Sequence, residues 1–84
     1  MSWQQVIETY NIKFNKRIVN CHLTHERDFI INTILTEFPG YNKNIVAAAV
    51  LHCCRMISDP KSRDLFFEMV ERIITNHMNA ENKT

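Results

Sequence analysis

The sequence predicts an all-α domain, a compact bundle of about four helices, and three observations carry that expectation. Apolar residues recur at i, i+3, i+4 and i+7 in four separate stretches, the signature of a helix with one face in a core. One Gly and two Pro in 84 residues leave few places for the chain to turn, which disfavours many short strands. The residues that do interrupt the pattern, Pro39-Gly40 and Asp59-Pro60, are helix stop and start signals. The helices are expected over roughly 3–19, 25–38, 43–57 and 60–78.

Ser2 caps the first. Trp3, Val6, Ile7, Tyr10, Phe14 and Ile18 share a stripe about 120° wide, with Ile12 and Val19 on the opposite side. Two features weaken this helix. Tyr10 to Phe14 also alternates as a strand would, and Asn11 and Asn15 are poor helix formers.

Thr24 is the expected cap of the second helix, with Glu26 and Asp28 in its first turn favouring the positive end of the dipole. Its stripe is Ile30, Ile31, Ile34, Leu35 and Phe38, with Phe29 off it. Asn42 or Asn44 caps the third, in which Ile45 to Leu51 contains no polar residue. Ile45, Val46, Ala49, Val50, Cys53 and Ile57 form its main face, and Ala47, Leu51 and Cys54 form a second face of smaller residues. A helix apolar nearly all round is either central in its fold or covered by another chain.

Asp59-Pro60 opens the fourth helix as N-cap and first helical residue. Phe66, Met69, Val70, Ile73, Ile74 and His77 make its stripe, and Glu68 and Arg72 stand in the favourable i, i+4 order. The polar tail from Asn79 to Thr84 is expected to fray.

Residues 1–84 are read as one domain. A chain this short buries only about 60–65% of its unfolded surface, so a second chain covering leftover apolar area matters energetically. Ten Lys+Arg against nine Asp+Glu give +1 and a pI near 7.8, below the value of about 9 usual for a dedicated duplex binder. No apolar run approaches the roughly 18 residues of a membrane span, and the N-terminus lacks the basic-then-apolar pattern of a secretory signal. Three cysteines are an odd number, and the neighbours Cys53 and Cys54 would bridge each other only with strain. Free thiols and a reducing, cytoplasmic location are therefore expected.

Cys21, His22 and His25 precede or open helix two, and His52, Cys53 and Cys54 lie near the end of helix three. A hairpin turning at Gly40 brings both clusters to one end, where four such side chains would suit zinc. Neither cluster has CxxC or HxxxH spacing, however, and Cys53 belongs to the apolar face, so burial is the preferred reading and no metal or cofactor is expected. Cys54 beside His25 would make a nucleophile and base, but nothing supplies an oxyanion hole and there is no glycine-rich phosphate loop. The expectation is that the chain is not an enzyme.

Helix two, the Pro39-Gly40-Tyr41-Asn42 turn and helix three have the length of a helix-turn-helix. The third helix opens with Lys43 and Asn44 but continues with Ala47, Ala48 and Leu51, a thin recognition surface. Lys13, Lys16 and Arg17 form a better basic patch for phosphates. A small DNA- or RNA-binding regulator acting through Lys13, Lys16, Arg17 and Lys43 is thus the alternative. The favoured reading is a non-catalytic interaction module, most simply a homodimer, using Ile12, Val19, Ala47, Leu51 and Cys54, the apolar residues outside the main stripes. The competing account of those residues is that helix one covers the second face of helix three.

Overall fold

A computed structural model describes residues 2–82, with side chains through Met78. Among them are four helices, α1 (Trp3–Phe14), α2 (Thr24–Glu37), α3 (Lys43–Met56) and α4 (Arg63–Asn82), and two short strands, β1 (Ile18–Val19) and β2 (Lys61–Ser62). The all-α bundle expected from the sequence is what forms.

Each helix runs antiparallel to the next. Trp3 at the start of α1 meets Phe38 after α2, while Phe14 at its end meets Phe29 near the start of α2. Phe38 stacks on Tyr41 across the turn into α3, and Cys21 before α2 meets Cys54 in the last turn of α3. Arg63, opening α4, reaches Asn11 near the end of α1. The helices therefore sit on a square in chain order, α1 diagonal to α3 and each of the others packed between two neighbours. The competing account of α3 falls here, because α2 and α4 flank it and α1 does not reach it. A Cα radius of gyration of 12.2 Å is close to the roughly 12 Å expected of a compact chain this long.

The core is built of the predicted stripes: Val6 and Tyr10 from α1, Ile30 and Ile34 from α2, Val46, Ala49, Val50 and Cys53 from α3, Phe66, Val70 and Ile74 from α4. Phe67 joins them beside the stripe, edge-on to Tyr10 at 5.5 Å.

Four local expectations are corrected. Helix α1 stops at Phe14 and not near residue 19, because Asn15 takes the left-handed conformation (φ 49°, ψ 50°) that Asn tolerates better than most residues, while its N–H caps the Asn11 carbonyl at 2.7 Å. The β-branched pair Ile18-Val19 then runs as a strand, antiparallel to β2 with Ile18 opposite Ser62 and Val19 opposite Lys61. Thr24 is the first residue of α2 and not its cap; Leu23 holds the cap position with no side-chain bond, and the Thr24 hydroxyl accepts from Arg27 instead. Pro60 does not open α4. It follows Asp59 through a cis peptide bond, and β2 separates it from the helix.

Two termini form as expected. The Ser2 hydroxyl accepts from the Gln5 N–H at 3.2 Å, and Asn42 accepts from both Asn44 and Ile45. At the end of α2, Pro39 forces Phe38 out of the helical region (φ −125°, ψ 75°), and Gly40 contributes no positive φ. The backbone of α4 continues to Asn82, beyond the expected end near 78. The rest of the tail lies outside the described residues.

Candidate functional site

Three places in the bundle hold chemistry or exposed apolar surface: a polar knot where the strands lie, the cysteine pair beside it, and the outward side of α3.

The knot centres on Glu26. Its carboxylate is fully buried in the first turn of α2. Oε2 accepts from the Tyr10 hydroxyl at 3.0 Å and from the Asn20 N–H at 2.6 Å, and Oε1 lies 2.6 Å from the Lys16 ammonium. One carboxylate so ties α1, the loop after it and α2 together. Burial, and then the bond to Glu26, push the Tyr10 hydroxyl well above the usual tyrosine range. Lys61 of β2 is also buried and meets the Asp59 carboxylate, and that bond holds Asp59 below the ordinary carboxylate range. Glu26 faces Lys16 and Lys61 faces Asp59, so the charges of the knot fasten elements to one another.

The two Cys/His clusters do meet at one end of the α2–α3 hairpin, but as a bond. Cys21 and Cys54 form a disulfide with Cα atoms 5.8 Å apart, closing a sequence separation of 33. The expectation of three free thiols is thereby corrected: two are joined, and the argument from free thiols to a reducing compartment loses its premise. Cys53 alone remains free. It points into the core, where burial pushes its thiol up to about 11. With Cys54 committed, the nucleophile and base considered with His25 are not assembled. Among the described residues no three His, Cys, Asp or Glu side chains come together as a metal site.

The outward side of α3 divides into two grooves. The first, about 480 Å³ between α2 and α3, is lined by Arg27, Asp28, Ile31, Asn32, Lys43, Ala47 and Leu51. The second, about 450 Å³ between α3 and α4, is lined by Asn44, Ile45, Ala48, Ala49, His52, Ile73 and His77. Ala47 and Ala48 form the low ridge between them, and Leu51 is 37% exposed. These residues follow from the register of α3: Val46, Ala49, Val50 and Cys53 turn inward, which leaves 47, 48 and 51 outside.

The five interface residues expected from the sequence do not converge. Ala47 and Leu51 line one groove, and Cys54 lies one turn beyond Leu51, held by Cys21. Ile12 is 82% exposed but stands on α1, diagonal to α3. Val19 is in the core at 1% exposure, because the early end of α1 let β1 turn it inward. The four basic residues divide as well. Lys16 is committed to Glu26, and Lys13 and Arg17 are exposed at the strand end of the bundle. Lys43 stands at the other end of the antiparallel pair, one 14-residue helix away, or about 21 Å. Sequence reasoning missed Glu26 as a core residue and Cys21 as a bonded one. A carboxylate in a first turn is normally solvated there, and nothing local marked its partners at 10, 16 and 20.

No helix among the described residues is long and apolar enough to cross a membrane. Comparison with protein-family models, curated proteins and solved structures finds no match.

Proposed function

We propose that this chain is a non-catalytic helical interaction module that associates with a second copy of itself through the α2–α3 face. The observation that carries the reading is the groove holding Ala47 and Leu51. It is an apolar strip of Ile31, Ala47 and Leu51 on two rigid helices, edged by Asp28 and by Arg27 and Lys43. Small residues at 47 and 48 let another helix approach closely. The charges suit self-association in particular. Asp28 and Lys43 border the same groove, so one surface carries both signs of charge that a second copy would pair with.

Nucleic-acid binding draws less support, since the basic residues are split between opposite ends and Lys16 is neutralised.

A native mass spectrum of the untagged protein, read against 10.0 kDa per chain, tests the reading. The expected result is a metal-free dimer for the wild type and a monomer for Leu51→Arg with unchanged helical circular dichroism. A wild-type monomer at tens of micromolar would overturn it, as would a Leu51→Arg protein that remains dimeric.

A further inference from the structure

We infer that the Cys21–Cys54 disulfide is a redox latch on the α2–α3 association face, closed in the oxidised chain and weakening self-association when opened. The inference rests on the self-association proposed above and names its regulation.

The position of the bond carries the argument. The groove has α2 as one wall and α3 as the other, and the disulfide ties α3 to the loop that leads into α2, at the end marked by Leu51. Cys54 is one helical turn beyond Leu51 on α3, and Cys21 lies three residues before α2 begins. Among the described residues it is the one disulfide, and the one covalent cross-link at this end of the α2–α3 pair. At the opposite end the spacing is set by the chain itself, through the short Phe38–Asn42 turn. With the latch closed both ends of the groove are fixed, so little ordering cost falls on association. With it open, the Leu51 end is held by packing alone.

The pairing is also clean enough to switch. Cys53 is adjacent in sequence but lies about 100° around the helix from Cys54 and points into the core. Its raised thiol is a poor thiolate near neutral pH, so it does not compete as a bonding partner. Cys54 is the more exposed member of the bonded pair, Cys21 being 9% exposed. A small dithiol reductant is therefore expected to attack at Cys54 Sγ. That step forms a mixed disulfide and expels Cys21 as a thiolate, which takes a proton from water. The second thiol of the reductant then closes on the first, releasing Cys54 as a thiol and leaving the reductant as a cyclic disulfide. Reoxidation by oxidised glutathione is the analogous exchange: one cysteine thiolate takes up a glutathionyl group and expels one glutathione thiolate, and the other cysteine then closes the disulfide and expels the second. Where the surroundings are reducing, a disulfide is characteristically transient and redox-sensing, and that is the role assigned to this one.

After the link opens, the cysteine loop does not drift free. Asn20 stays bonded to buried Glu26, and Val19 stays paired with Lys61. Opening is thus a local loosening of the groove and not an unfolding event.

The test is sedimentation equilibrium of the full chain, as purified and after dithiothreitol, beside Cys21→Ser and Cys54→Ser. Intact mass establishes the redox state through the gain of two hydrogens. The expected result is one disulfide in the oxidised protein and a dimer dissociation constant at least fivefold larger after reduction, with helical circular dichroism retained. Both serine variants should match the reduced wild type and ignore dithiothreitol. An equal dissociation constant in the two verified redox states overturns the latch and leaves the self-association reading standing. Three free thiols in air-oxidised protein overturn it in the same way. A wild type that is monomeric in both states overturns the self-association reading, and the latch with it.

Discussion

The two ends of the bundle are built from different materials. At the turn end, ring packing and local caps do most of the fastening. Phe38 stacks on Tyr41 with ring centroids 4.8 Å apart, Trp3 packs on Phe38 at 5.2 Å, Asn42 caps α3, and Pro39 ends α2. At the strand end, fastening is long-range. Glu26 gathers Tyr10, Lys16 and Asn20; Cys21 bonds Cys54; Arg63 reaches across 52 residues to Asn11. A turn of five residues closes the first end, whereas the second must hold two chain reversals together, and apolar packing does not by itself fix where loops go. Polar and covalent contacts, being directional, do.

This difference makes ranked predictions. The largest effect should come from removing the disulfide in a Cys21→Ser/Cys54→Ser double variant. By the chain-entropy model a loop of this size contributes about 4 kcal/mol, which urea denaturation would read directly. Glu26→Ala should follow at about 3 kcal/mol, since it strands the buried Tyr10 hydroxyl and the Asn20 N–H without an acceptor. At the turn end, Phe38→Ala should cost only about 2 kcal/mol, because the half-buried ring loses packing but leaves no buried polar group unpaired. A Phe38→Ala cost exceeding that of Glu26→Ala would break the contrast.

The smallest effect is one of pH. The Cys53 thiol is pushed up to about 11 in the folded chain, above its ordinary value of 9. The unfolded chain thus loses this proton first, so the associated stability is complete below pH 9 and is lost as pH rises towards 11. On the order of 1 kcal/mol should be gone by pH 10, and Cys53→Ala should remove most of that slope in denaturation curves at pH 8 and pH 10.

The same contrast explains what could be read in the sequence. Helix stripes, the Ser2 and Asn42 caps and the stop at Pro39 depend on residues within a turn or two of one another, and periodicity exposes them. The inward and outward faces of α3 were legible for the same reason. The strand end was not. Whether Asn15 continues a helix or breaks it depends on a preference of well under 1 kcal/mol, which tertiary contacts decide. Once α1 ended there, Val19 turned from an outward residue into a core one. Glu26 looked like an ordinary first-turn carboxylate because its three partners come from a separate stretch of chain, and Cys21 and Cys54 looked unpaired because 33 residues separate them. The grooves beside α3 depend on which helices flank it, which follows from the square arrangement and not from α3 alone.

The central functional claim, association through the α2–α3 face, is tested most directly by side-chain methyl NMR over a dilution series. The account predicts concentration-dependent shifts at Ile31, Ala47, Ala48 and Leu51, with Ile12 and the buried Val6 unmoved. Shifts independent of concentration, or a response centred on Ile12 and Ile18, would contradict it.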